Sequence, residues 1–351
     1  MSVRLAKLAE LVGGTLYGDG QREITGASTI RDVTAGGITL ADNPAFFEQL
    51  RCSDAEAVVV SREGALSESF PDNIMYITVD NVREAFATIV NHFRPQQATA
   101  WPGISPAAHI HPTAKIADDV TIMPGCVIGE SVVIESGVTL HPNVSVMSAS
   151  RIGAGSTIFP GVTLYENTQI GERVIIHANA VLGAHGFGYE MQDGRHAPSP
   201  QLGNVVVHDD VEIGAATTID RGTYGPTEIG EGTKIDNQVM IGHNCRIGKH
   251  NLLCANVGIA GSCTTGDYVV MAGQVGLRDH VDIASGVMLG AKAGVSESLT
   301  EAGKYLGAPA VPLRQEIQCL MARQKLPELR KLVKRLERQL NSRDERDRNA
   351  A

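Results

Sequence analysis

Ile229-Gly-Glu-Gly-Thr-Lys-Ile235-Asp-Asn-Gln-Val-Met-Ile241-Gly-His-Asn-Cys-Arg-Ile247 carries an aliphatic residue at every sixth position, followed directly by Gly or an acid. A period of six fits neither the 3.6 of an isolated helix nor the alternation of a long strand, so it describes short strands separated by turns. Such a chain is a solenoid of stacked β-coils. The same step runs without a miss from Ile110 to Leu182, resumes at Val207, Ile213 and Ile219, and runs again from Ile229 to Val295. A small residue usually sits four positions after the aliphatic, as in Ile152-Gly-Ala-Gly-Ser156 and Ile247-Gly-Lys-His-Asn251. The aliphatic points inward and the small residue fits the tight corner, where Gly and Asn supply turn conformations that other residues resist.

This aliphatic-Gly-x-x-small-x pattern resembles the hexapeptide-repeat transferases. The resemblance implies a left-handed parallel β-helix with three hexapeptides per coil, working as a homotrimer. Handedness comes from the resemblance alone, since the general crossover rule would give the opposite.

Composition agrees with a turn-rich solenoid: 38 Gly and 4% aromatics in 351 residues. A formal net charge of −9 argues against a nucleic-acid binder. No run approaches the length of a membrane span and the first ten residues lack a long apolar core, so the expected location is cytoplasmic. The six cysteines form no CxxC pair, which indicates neither a zinc site nor a disulfide framework. Cys126, Cys245 and Cys263 each sit four residues after a repeat aliphatic and read as small core residues.

Residues 1–100 read differently, as a small α/β domain. Arg4 to Val12 has Leu5, Leu8, Ala9 and Val12 on one helical face, stopped by Gly13-Gly14. Ala55–Val60 and Ile74–Val79 read as buried strands, and Val82–Phe93 as a helix. Within this domain, Asn43-Pro-Ala-Phe46 could present an amide and a ring to a ligand, or be ordinary turn chemistry. A Pro-rich stretch from Arg94 to Pro112 leads into the β-helix of residues 101–311, and its Trp101 reads as a packing plug. Residues 312–351 read as α-helices, with Pro327 separating two segments. Leu329, Leu332, Val333, Leu336 and Leu340 form an apolar stripe that would pack against its own copies in a trimer. Eight Lys and Arg between Arg314 and Arg338 face three Glu, which suggests an acidic partner or a solvated helix face.

Two interruptions of the repeat, Gly183–Gly203 and Asp220–Glu228, are long loops in a regular scaffold, either functional or simply tolerated. Among the histidines, His243 stands out because Asp236 precedes it by one hexapeptide plus one residue. A carboxylate there could orient the ring and support the imidazolium, although a structural His beside a solvated Asp would look the same.

Taken together, Gly186-Phe-Gly-Tyr189, Ile219-Asp-Arg-Gly222, Ile235-Asp-Asn237, Gly242-His-Asn244, Gly273-Gln-Val-Gly276 and the Asn43–Phe46 segment resemble the UDP-3-O-acylglucosamine N-acyltransferases of lipid A biosynthesis. That family moves a 3-hydroxyacyl chain from acyl carrier protein to the 2-amine of UDP-3-O-acylglucosamine. The resemblance implies that His243 is the general base, Asp236 its orienter and the Gly261 N–H the oxyanion donor. Asn43, Phe46 and His280 would hold the uridine diphosphate end. Leu40 stands where the family often has a second aromatic, leaving stacking to Phe46 and apolar contact to Leu40. No cofactor and no metal is implied, because the thioester donor is already activated.

Three alternatives remain at this level. The UDP-N-acetylglucosamine O-acyltransferases also use a β-helix His, but their chains begin directly with hexapeptides. A γ-type carbonic anhydrase would put zinc on three His, for which His243, His250 and His280 supply imidazoles without that family's spacing. A non-enzymatic scaffold would favour a flat, repeated Thr face, whereas the outward positions here are mixed.

Overall fold

The computed structural model describes residues 2–95 and 103–349, so Trp101 lies outside the described residues. The chain divides into two compact units, 1–100 and 101–351. The first is a five-stranded sheet in the order Thr15–Tyr17, Met75–Val79, Ala57–Ser61, Gly37–Ala41, Gly26–Ala27. Its first pair is antiparallel and the rest are parallel. Helices Leu5–Leu11 and Val82–Phe93 bury Leu5, Leu8, Phe86 and Ile89 against it. Asn81 caps the second helix by accepting from Glu84 N–H. Both helices and two of the strands lie where the apolar patterns predict, within one to two residues. The strand Gly37–Ala41, with Ile38, Thr39 and Ala41 buried and Leu40 half-buried, is an addition to that reading.

The second unit is a three-walled parallel β-solenoid whose strands are mostly two residues long. The first wall runs from His109–Ile110 to Gly294–Val295, the second from Lys115–Ile116 to Asp282–Ile283, and the third begins at Thr121–Ile122. Neighbouring strands within a wall are one coil apart, as Ile241 pairs with Ile259 and Ile259 with Leu277. Each hexapeptide therefore supplies one wall and one corner, and its aliphatic points into a single continuous core.

The corners impose a left-handed backbone on residues that do not favour it, including Arg173 (φ 54°), Tyr268 (φ 58°) and Lys292 (φ 62°). Stacking offsets that strain, because each coil bonds to the next along its whole length. Buried corner side chains add a polar ladder. Ser156 Oγ donates to Gly171 O (3.0 Å) and Thr233 Oγ1 to Gly248 O (2.8 Å). Cys126, Cys245 and Cys263 are fully buried, as expected. Their thiols make the same bond, Cys245 Sγ donating to Ala260 O at 3.2 Å.

The carboxy-terminal segment corrects one expectation. Pro327 does not divide it: a single helix spans Leu313–Asn349 with Pro327 inside. Proline has a helix-compatible φ and removes one N–H, and the carbonyl this leaves unbonded on an exposed helix can be solvated by water. No helix among the described residues is long and apolar enough to cross a membrane.

Candidate active site

Both interruptions of the repeat converge on His243. The first turns out of the wall and back as a hairpin, Tyr189–Gln192 with Arg195–Pro198, and its Gly186 lies against the His243 side chain. A Cβ at Gly186 would sit 2.7 Å from His243 Cβ, so glycine is required there for the ring to keep its place. The second interruption supplies Asp220 and Thr223. A cavity of about 580 Å³ is lined by His243, Gly261, His280, Asp220, Asp279 and Phe187, together with outward wall positions such as Met240 and Gly258.

His243 follows the first-wall strand Met240–Ile241 and is held by its neighbour in sequence. Asn244, in the left-handed region at φ 60°, places Oδ1 2.9 Å from His243 Nδ1. The same oxygen accepts from Thr223 N–H (3.1 Å) and Thr223 Oγ1 (2.8 Å), which fixes the direction of the amide. Nδ1 must then be the donor to Asn244, and Nε2 keeps its lone pair. Nε2 lies over Gly261, where a Cβ would approach it to 2.7 Å.

The backbone N–H of Gly261 is set apart by the imidazole next to it. At some equivalent first turn positions a side chain accepts from that N–H, as Asp236 does from Asn237 (2.7 Å) and Ala255 (3.0 Å), Asp267 from Lys249 (2.8 Å) and Ser285 from Asp267 (2.9 Å). Among the described residues, neither His243 N–H nor Gly261 N–H has such a partner. The site thus holds an imidazole lone pair beside an unclaimed N–H, the components needed to take a proton and to receive an oxyanion.

Asp236 is not the partner of His243 within the chain. A step of one hexapeptide moves the chain to the next wall, so Asp236 sits one corner away. Both its carboxylate oxygens cap backbone N–H groups there, and it lines a separate cavity with Phe159 and His177. Two carboxylates share the His243 cavity, Asp220 and Asp279, and the sequence reading gave neither a role. Ile219 pairs with Ile241, which sets Asp220 beside Gly242. Burial pushes the Asp220 carboxyl up to about 6, an effect opposed by the charge of His243.

In the first unit, Leu40 and Phe46 line a cavity of about 430 Å³ with Arg31, Arg83 and Gln49, and the Phe46 ring is exposed. Asn43 is not in that lining. Its Oδ1 accepts from Ala45 N–H (2.9 Å) and starts the turn Pro44–Phe46, so the turn chemistry is real. His250 turns to a different corner and stacks on Tyr268 (5.2 Å between rings), so His243, His250 and His280 do not converge within the chain.

Comparison with known proteins bears on this geometry. The family model for UDP-3-O-(3-hydroxymyristoyl) glucosamine N-acyltransferase matches residues 21–92, and that for six bacterial transferase hexapeptides matches residues 226–261. UDP-3-O-acylglucosamine N-acyltransferase of Pseudomonas syringae pv. syringae is 39% identical over 349 residues, 97% of this chain and 96% of that protein. The chain belongs to the UDP-3-O-acylglucosamine N-acyltransferase family. The relative from Rhodopirellula baltica is 50% identical over 89% of this chain and 80% of its own length. Among solved structures, an Arabidopsis UDP-N-acetylglucosamine acyltransferase superposes with a TM-score of 0.56 at 26% identity. It covers 61% of this chain and 75% of the Arabidopsis chain, and the model match to residues 21–92 adds the amino-terminal family signature. This family member is an acyltransferase with the expected mainly β, hexapeptide-repeat fold.

Proposed function

We propose that the protein transfers a 3-hydroxyacyl group from acyl carrier protein to the 2-amine of UDP-3-O-acylglucosamine, with His243 as general base. One observation carries this reading: the His243 ring is fixed at Nδ1 by Asn244 and bare at Nε2, against the unclaimed N–H of Gly261. The amine attacks the thioester carbonyl, the new N–C bond forms, and the carbonyl electrons move onto oxygen, towards the Gly261 N–H. His243 Nε2 takes the nitrogen's proton. The C–S bond then breaks and the proton passes to the departing thiolate. A positioned base contributes ~10²–10⁴ in rate and an oxyanion donor ~10²–10³. No cofactor enters this scheme, because the donor is already activated.

Substrate positions follow the same reading. The exposed Phe46 ring stacks on uracil with Leu40 beside it, and His280 takes the diphosphate end. Asn43 shapes the Phe46 turn, and its amide nitrogen remains free to meet a phosphate. Above His243 the outward wall positions are Gly258, Gly276 and Gly294, which leave a channel floor for the acyl chain. The basic face of the last helix suits acyl carrier protein, and its exposed apolar stripe suits a homotrimer. Any role for Asp236 at the His243 centre therefore runs through a second copy of the chain. The expected compartment is the cytoplasm.

The test is mass spectrometry of products formed from UDP-3-O-acylglucosamine and a set of 3-hydroxyacyl carrier proteins. The wild type should add one acyl chain through an amide, and His243→Ala should lower kcat by about 10²–10⁴-fold with folding intact. Absence of the amide product with the wild type would sink the assignment of substrates. Near-normal kcat in a folded His243→Ala protein would remove the base.

A further inference from the structure

We propose that Asp220 is the residue by which the site recognises an amine acceptor and discriminates against a hydroxyl. The inference deepens the proposed function and rests on the His243 cavity being the acylation centre.

Asp220 is only 8% exposed, and among the described residues no donor bonds to its carboxylate. The cation beside it in sequence is committed elsewhere: Arg221 donates through Nε to Gly183 O (2.7 Å) and through Nη2 to Glu166 (2.8 Å). The other cavity carboxylate, Asp279, already lies against Arg278 (3.6 Å). Asp220 and His243 line the same cavity and, among the described residues, form no ion pair within 4.0 Å.

An ionised carboxylate largely withdrawn from water and without a protein donor is costly to the folded protein, and a ligand that brings charged N–H groups lowers that cost. An ammonium offers three donors and a positive charge, whereas a hydroxyl offers one donor and no charge. The acceptor therefore enters with its nitrogen between the Asp220 carboxylate and His243 Nε2. Its ammonium sheds one proton to solvent and the second to His243, which returns it to the leaving thiolate. No covalent bond forms or breaks at Asp220. Burial raises the Asp220 carboxyl, in keeping with a group that gains from a cationic ligand.

Calorimetric binding of UDP-3-O-acylglucosamine and of its glucose analogue, with a hydroxyl in place of the 2-amine, tests the proposal on full-length protein. The wild type should bind the amine about 10–100-fold more tightly, and Asp220→Asn should abolish that difference while sparing the acyl-donor KM. Stability gives an independent readout. The folded carboxyl titrates at about 6 against an ordinary 3.8, so ionisation opposes folding. That penalty is absent below pH ~4, grows as pH rises to about 6, and is complete above it. Asp220→Asn should accordingly raise the Tm of the unliganded protein at pH 7 and not at pH 4. Unchanged discrimination in Asp220→Asn, or a lower Tm at pH 7 as expected of a purely structural carboxylate, overturns the proposal. A wild type that binds neither compound and makes no amide points instead to failure of the proposed function.

Discussion

Asp236 precedes His243 by seven positions, and in this fold that interval spans a whole wall. The residue that holds the imidazole is the next one along, Asn244, whose Oδ1 is aimed by Thr223 across the neighbouring coil. Asn suits the position twice over, since it tolerates the left-handed backbone at φ 60° and supplies an acceptor. Removing the acceptor without straining the backbone isolates its role. Asn244→Gly should lower kcat by about 10–100-fold with a circular dichroism spectrum and Tm close to the parent's, because ring orientation and tautomer are no longer fixed. Asn244→Asp keeps an acceptor and should retain more activity than the glycine variant. Equal kcat in all three proteins would show that Nδ1 needs no partner.

At the scale of the element, the coil is stabilised by what its corners bury as well as by its aliphatic core. Asn251 is fully buried, and its side-chain amide alone makes three hydrogen bonds. Its Nδ2 donates to Thr265 Oγ1 (2.7 Å) and Gly266 O (3.1 Å), its Oδ1 accepts from Val269 N–H (2.6 Å), and its own N–H donates to Thr233 Oγ1 (3.1 Å). Thr265, the one repeat position of this segment occupied by a hydroxyl residue, is explained by this network. Its side chain accepts from Asn251 and from Gly248 N–H (3.0 Å), so the departure from an aliphatic is compensated. Asn251→Ala strands Val269 N–H without a partner and should destabilise the coil by about 2–3 kcal/mol. Hydrogen exchange at the Val269 amide should accelerate and the unfolding midpoint should fall. Unchanged protection at Val269 would mean that the coil rearranges to satisfy it.

For the whole molecule, the last helix is the part that a single chain leaves unfinished. Leu329, Leu332, Val333 and Leu336 are each 43–55% exposed along it, an apolar stripe with no covering element among the described residues. Packing against its own copies is the simplest way to bury such a stripe, and the trimer reading predicts a light-scattering mass three times 37.2 kDa. Leu332→Glu with Leu336→Glu should expose the helix to proteolysis after Leu313 while leaving the β-solenoid folded. A monomeric wild type, or equal protease resistance in the double variant, would leave the stripe without its proposed cover.

The stacked coils were legible in the sequence because a period of six is a local signal repeated over nearly two hundred residues, whereas three walls per coil came from the family resemblance and the left-handed corner residues from the structure. Gly261 came from the family resemblance, and the structure sets it one coil from His243, since Ile241 pairs with Ile259 eighteen residues on. Counting failed for the acid. On the other side of His243 the coil carries the Asp220–Glu228 loop, so Ile219 pairs with Ile241 twenty-two residues on, and no regular step from His243 lands on Asp220. Asp236 is near in sequence and far in direction; Asp220 is far in sequence and shares the cavity. Periodicity sets the address of every residue within a regular coil, whereas an insertion changes the arithmetic, and only the folded chain fixes which side chains then meet.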